Sequence, residues 1–400
     1  MDCFKQIIVP YIQALKMVLS SSYYEMDLDL DQWKEFYRLS KQHNLEIMLY
    51  CFAKEQASAP EGMMKALDKI VFQLAERDEL ETRTIELIKE IFNDEKIPVS
   101  FIKGAVVKND YPESYMRSMS DIDVYINRDE KDTVLKVCSE KLGVNSIGAD
   151  SGDITITTSS RIHIDFQGRL FYKKSPDGII GYASNKRLAF DSENGEAVLS
   201  NEEYALNLIG HMVNNLASGG LGIRYILDLW VYRNRHTPQP DWKAVMSQLN
   251  TDGIGKVAQN LIELSDLWFG SANNKTDMTL CSPLLKELSV YIFGNGPQGG
   301  LSNVQISRSC FLSKDIILSK NQVTRHAIKY GIVRSKEEFM NRYSWLETYP
   351  FLLPIAWLIR IITSIIKHPK EVIKEIKQAF VFDDSQLRER KDQLKRFGIL

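Results

Sequence analysis

Asp121, Asp123 and Asp165 are the residues of this chain whose types and spacing best suit chemistry. The first two stand in Asp121-Ile-Asp-Val-Tyr-Ile126, which alternates polar with apolar between turn-like residues and predicts a strand. Side chains alternate faces along a strand, so the two carboxylates share a face, about 6.6 Å apart along the chain. Carboxylates so placed at a strand end can both reach a pair of divalent cations about 3.5–4 Å apart. Asp165, within Arg161-Ile-His-Ile-Asp-Phe166, can supply a third if that β segment lies alongside. Hard oxygen donors favour Mg²⁺ or Mn²⁺ over zinc. Mg²⁺ usually completes its shell with water and substrate phosphates, which indicates phosphoryl or nucleotidyl transfer.

Spacing alone decides little. With 52 acidic residues among 400, an acid-x-acid pattern arises by chance about seven times. Asp27-Leu-Asp-Leu-Asp31 is such a decoy: nothing glycine-rich precedes it, and Asp31 suits the N-cap of the helix that follows. Context distinguishes Asp121 and Asp123. A short β-rich run, Pro98-Val-Ser-Phe-Ile102, ends in a Lys103-Gly104 break, Arg117 intervenes, and a later strand brings Asp165. The bland alternative for Asp165 is a strand-end partner of Arg161 or Arg169. His163 shares the face of Asp165, and a hydrogen-bonded structural role is open to it beside a substrate contact. Arg224 and Asp228, four apart on an apparent helix, are most simply an i,i+4 ion pair. Gly294-Asn-Gly-Pro-Gln-Gly299 fits G-x-G-x-x-G, but a helix-like segment precedes it and Pro297 follows, so it reads as a loop and not a dinucleotide site. No P-loop is present.

The run FIKGAVVKNDYPESYMRSMSDIDVYI resembles the signature of a bacterial nucleotidyltransferase-like family within the DNA polymerase beta-type superfamily, with its Lys-Gly turn, Tyr-Pro, Arg and Asp-Ile-Asp strand. The resemblance continues through Asp165, Gly210-His211 and Gly222-Ile-Arg-Tyr-Ile-Leu-Asp228, and covers roughly residues 30–235. It implies transfer of a nucleotidyl group from an NTP by in-line displacement at two metal ions, with pyrophosphate leaving. Asp121 and Asp123 would bridge both ions, and Asp165 would hold the catalytic one and help deprotonate the acceptor. It also favours a site-facing role toward substrate for some of His211, Arg224 and Asp228, beside the contact open to His163. The superfamily's phosphate-binding glycine-serine turn is here Lys103-Gly104-Ala105, without the serine hydroxyl. Backbone amides at Gly104 and Ala105 remain for a phosphate, with Lys103, Arg117 and Ser120 beside them. The rival reading is a catalytically degenerate nucleotide-binding scaffold, which the missing serine favours and the intact acids oppose.

These residues need a small sheet to position them. Residues 1–95 read as helical, with Ile7, Ile8, Tyr11, Ile12, Leu15 and Val18 at helical spacing and good helix formers from Met63 to Phe92. The period then changes, and strands are expected at 98–102, 121–126, 154–157 and 161–166, with a helix over 130–142. Residues 168–198 read as an irregular connection. At Ser200-Asn-Glu-Glu203 a capping box opens further helices. The expected architecture is α/β (α+β): a small mixed-sheet nucleotidyltransferase-like core at 96–198 between a helical region at 1–95, a helical domain at 199–290 and a mostly helical region at 291–400.

Composition bounds the rest. Fifty Lys+Arg against 52 Asp+Glu leave a net charge of −2, without the basic surplus that nonspecific nucleic-acid binding requires. Five scattered cysteines form no C-x-x-C, which excludes a zinc cage or disulfide framework. The first residues lack the pattern of a signal peptide, so a cytoplasmic location is expected. The apolar run 350–366 is about 26 Å long as a helix, short of the roughly 30 Å hydrocarbon core. Arg360, Thr363, Ser364 and Lys367 share one of its faces. An intramolecular core is favoured there. With Arg388, Arg390, Lys391, Lys395 and Arg396 on what reads as a solvated basic helix, peripheral membrane or partner contact through 350–396 is the alternative.

Overall fold

The computed structural model describes residues 4–150, 153–174, 180–182, 187–190, 199–270, 282–297 and 384–400, with parts of 350–363. Helices α1 (Val9–Ser20), α2 (Leu30–His43) and α3 (Glu46–Lys54) lead into α4 (Glu61–Asp94). The α/β unit comprises β1 (Val99–Phe101), a one-turn α5 (Gly104–Val107), β2 (Ile122–Ile126), α6 (Lys131–Lys141), β3 (Val144–Asp150), β4 (Asp153–Thr158) and β5 (His163–Gln167). A hairpin, β6 (Tyr172–Lys174) and β7 (Ile180–Tyr182), precedes α7 (Asn201–Ala217), α8 (Ile223–Arg235), α9 (Trp242–Thr251), α10 (Gly255–Phe269) and α11 (Pro283–Asn295). The last described helix is α12 (Asp384–Phe397).

The five strands form one mixed sheet in the order β1-β2-β5-β4-β3. All neighbours are antiparallel except β2 and β5, which run parallel. Alternation gives the sheet two unlike faces. Ile122, Val124, Ile154, Ile156, Ile164 and Phe166 are buried on one, against Ile88 and Phe92 of α4 and Val134 and Val137 of α6. The opposite face carries the acids. A second core joins α1–α3 to α7–α11: Tyr11, Trp33 and Phe36 belong to the same cluster as Ile209, Leu227, Trp268 and Phe293. The two helical stretches, far apart in sequence, share one interior.

The expected strands form, and the structure adds three. β3 is an exposed edge strand paired only with β4, so neither of its faces needs the alternation that marks a half-buried strand. β6 and β7 are three residues each and are fixed from outside, since the Lys174 amide donates to the Asp252 carbonyl. The cap of α2 is Asp29, not Asp31: its carboxylate accepts from the amides of Asp31 and Gln32, and Gln32 returns a bond to the Asp29 amide. Asp31 instead pairs with Lys34 in the first turn. The box at Ser200 and Glu203 forms as expected. The glycine-rich run begins inside the end of α11, and Gly296 terminates that helix at φ 68°, the reverse of a helix-opening phosphate loop.

In the apolar run, Phe351, Ile355, Leu358, Ile359 and Ile362 are exposed and Ala356 is buried. The intramolecular core expected there is therefore not made by these side chains. Arg360, Ser364 and Lys367 lie outside the described residues. α12 keeps Arg388, Lys395 and Arg396 exposed but is docked along its other face. It buries Leu394 and Phe397, donates from Arg390 to the Leu216 carbonyl and pairs Arg396 with Glu287 of α11. Among the described residues no helix is long and apolar enough to cross a membrane.

Candidate functional site

The parallel pairing of β2 with β5 sets Asp123 directly beside Asp165. Asp121 immediately precedes β2 on the face of Asp123, and one carboxylate oxygen from each of the three lies within 4.8 Å of the others. Asp123 is 7% exposed, and Asp121 and Asp165 are half-buried. Burial pushes the Asp123 carboxyl up to about 6, against the pull of the Lys103 ammonium and with the help of the Asp121 and Asp165 charges. Asp165 is raised as well, by burial and by Asp121, despite a hydrogen bond from Thr155, its neighbour on β4. Ser120 Oγ donates to Asp121 Oδ1 at 2.6 Å.

Three oxygen donors at this spacing suit a hard divalent cation: octahedral Mg²⁺ at about 2.1 Å from each ligand places its oxygens about 3–4 Å apart, and a pair of ions spreads them further. Asp165 Oδ1 is buried without a hydrogen-bond partner. Such an acceptor is costly unless something meets it, and a cation would. The donor set fits the metal that its chemistry calls for.

The turn beside the acids is unusual at one position. Lys103 adopts φ 53°, ψ −123°, a region unfavourable for any residue with a Cβ. Its carbonyl accepts from Tyr204 Oη, and its Nζ lies 2.6 Å from Asp123 Oδ1. Gln167 Nε2 donates to that same oxygen at 2.5 Å. Gly104 follows, where a Cβ would stand 3.0 Å from Met119 and 3.3 Å from Arg117 Nη1, so that any side chain there would have to push these two aside. Ala105 is buried in the core. Behind the turn Ala105 also lines a cavity of about 470 Å³ with Phe101, Tyr204, Tyr232 and His236, bounded by none of the three acids.

Arg117 is buried, and its Nε donates to both oxygens of Asp228 at 2.8 and 3.0 Å. Although burial works against the charged form, the Asp228 carboxylate holds the Arg117 guanidinium above its ordinary range. Asp228 also accepts from Tyr111 Oη at 2.8 Å. It thus takes partners from the α/β unit in place of the i,i+4 pairing with Arg224 expected from spacing. Arg224 reaches the Ser118 carbonyl through Nη1 at 2.9 Å, and its buried Nε has no partner. Burial, then the neighbouring Arg117 charge, lower its pKa. Two buried guanidiniums thus lie close enough to feel each other's charge, with Asp228 bonded to Arg117 and the Glu46 carboxyl within electrostatic reach of Arg224. His211 of α7 has a buried, unpartnered Nδ1 and a ring 5.7 Å from that of Tyr225, and burial lowers its pKa well below the usual value. His163 is exposed, 3.1 Å from Thr157 Oγ1.

Sequence reasoning overlooked Gln167, Tyr204 and Tyr111. Gln167 had a signal, since it stands two residues after Asp165 on the same strand face. Tyr111 stood in the Tyr-Pro of the family-like run but without a role, and Tyr204 had no signal, because their partners lie 117 and 101 residues away.

A family model described as an uncharacterised nucleotidyltransferase matches residues 29–270. No curated protein and no solved structure matches the chain.

Proposed function

This chain belongs to a family of uncharacterised nucleotidyltransferases, and from that membership we propose that it moves a nucleoside monophosphate from an NTP to an acceptor, with Mg²⁺ or Mn²⁺ as the working cations. The observation that carries the reading is the register of β2 on β5, which gathers Asp121, Asp123 and Asp165 on one sheet face. Asp121 and Asp123 would hold a pair of cations between them, and Asp165 would add a ligand to the catalytic one. When bound, the cations supply Lewis-acid polarisation of the α-phosphate and offset charge on the departing pyrophosphate. Gly104 would let the phosphate tail approach the backbone, and the Arg117 guanidinium beside it, with Arg224, would offset the tail's charge. An acceptor hydroxyl, phosphate or amine attacks the α-phosphorus as the bond to the β-phosphate breaks. Asp165 would take the acceptor's proton.

The test is pyrophosphate release from each of the four NTPs with Mg²⁺ and a cell extract as acceptor source. Release should fall at least a hundredfold in Asp165→Asn and vanish in the Asp121→Ala/Asp123→Ala double variant. Cation-dependent nucleotide binding without release by the wild type would favour the scaffold reading, which the absent turn hydroxyl and the buried Ala105 support. Nucleotide binding that survives the double substitution unchanged would refute the site assignment.

A further inference from the structure

We propose that the Lys103 ammonium is the resident counter-cation of the acid cluster when no metal is bound, and that it leaves Asp123 for the nucleotide's phosphate tail when divalent cations enter. The inference rests on the reading of the three acids as a metal site.

Three carboxylates within 4.8 Å of one another, one of them 7% exposed, repel strongly unless a positive charge sits among them. Lys103 provides it at 2.6 Å from Asp123 Oδ1. The chain accepts an unfavourable backbone conformation to place that side chain, φ 53° at a residue with a Cβ, and Tyr204 holds it by bonding the Lys103 carbonyl. A lysine used only to close a turn would not require this geometry, since glycine would close it without strain.

Gln167 makes departure feasible. Its amide holds the same Asp123 oxygen at 2.5 Å and is neutral, so it keeps the carboxylate oriented without occupying the cation's electrostatic role. A lysine stem is long and flexible, and its ammonium can exchange one anionic partner for another. The alternative partner would sit close by: Arg117 Nη1 lies beside Gly104, the residue after Lys103, and Arg117 and Arg224 both reach the Ser118 carbonyl next to it. A phosphate tail drawn there would sit within the reach of Lys103. Ammonium and metal would thus alternate on one set of carboxylates, so the cluster is charge-compensated before and after loading.

The first measurement is thermal denaturation of wild type and Lys103→Met with and without saturating Mg²⁺ or Mn²⁺. Lys103→Met should melt several degrees below wild type without cation and converge with it when cation is added. Mn²⁺ should bind Lys103→Met about tenfold more tightly, because no internal ammonium competes. A melting deficit equal in both conditions would overturn the exchange while leaving the metal site standing. No response of either protein to either cation would remove the metal-site reading and this inference together. The second measurement needs no variant: limited acylation of wild-type amines, read by peptide mass spectrometry. Labelling of Lys103 should rise severalfold when Mn²⁺ is added alone and fall again with a nonhydrolysable NTP. Labelling that is unchanged or slower with Mn²⁺ would show that the ammonium stays on Asp123, and would overturn the proposal even if Lys103→Met does not fold.

Discussion

At Asp123, burial and two neighbouring carboxylates oppose ionisation while one ammonium favours it, and the carboxyl settles at about 6. An ordinary, solvated aspartate titrates near 3.8. A group raised in this way contributes stability that is complete below the unfolded value and is lost as pH climbs through the folded one. Asp123→Asn removes that titration with little change of shape. Without metal, wild type should lose roughly 2 kcal/mol relative to Asp123→Asn between pH 4 and pH 7.5. Chemical denaturation at those two pH values checks it, and a constant difference would contradict the burial argument. Mn²⁺ affinity of the wild type should weaken as pH drops below about 6, because a protonated Asp123 is a poor ligand. The residue types of this cluster were legible in the sequence through their context, the Lys103-Gly104 break before them and the later strand with Asp165, and not through the i,i+2 spacing alone. The fate of Arg224 and Asp228 was not: four-residue spacing on a helix makes a pair available, but Tyr111 and Arg117 offered Asp228 better-buried donors.

At the scale of elements, the site depends on how β1, β2, β5 and α7 meet. β2 and β5 each turn an apolar row onto α4 and α6, so their existence could be read directly, although Tyr125 of β2 is buried on the other face as well. β3 could not be, because an exposed edge strand needs no buried stripe. The first turn of α7 secures the Lys103 turn through Tyr204, and Ser200 with Glu203 secures that first turn. Ser200→Ala should cost about 1 kcal/mol, the usual worth of a helix cap, measurable by denaturant unfolding. Tyr204→Phe should cost a similar amount and speed amide exchange at Gly104–Val107 while leaving the rest of α7 protected. If exchange in α5 is unchanged, the tyrosine does not hold the turn.

Across the molecule, Asp228 ties the α/β unit to the helical core. It sits on α8, 1% exposed, and receives Tyr111 and Arg117 from the segment between α5 and β2. Asp228→Asn would leave Arg117 and Arg224 buried without a carboxylate, a change expected to cost about 3–5 kcal/mol. The exposed pair Arg83–Glu79 is the control: Glu79→Gln should cost well under 1 kcal/mol. Comparable melting shifts in the two variants would show that Asp228 couples nothing. The amino-acid sequence by itself determined which residues face together within each strand and helix, because those periods are set by local backbone geometry. It therefore contained the Asp121/Asp123 pair, the capping box and the switch from helix to sheet near residue 96. Tertiary structure alone decided that β5 lies parallel beside β2, that Lys103 and Gln167 converge on one oxygen of Asp123, and that helices from both ends of the chain share an interior. Each of these is a contact between segments distant in sequence, chosen by competition among many partners for the same buried surface.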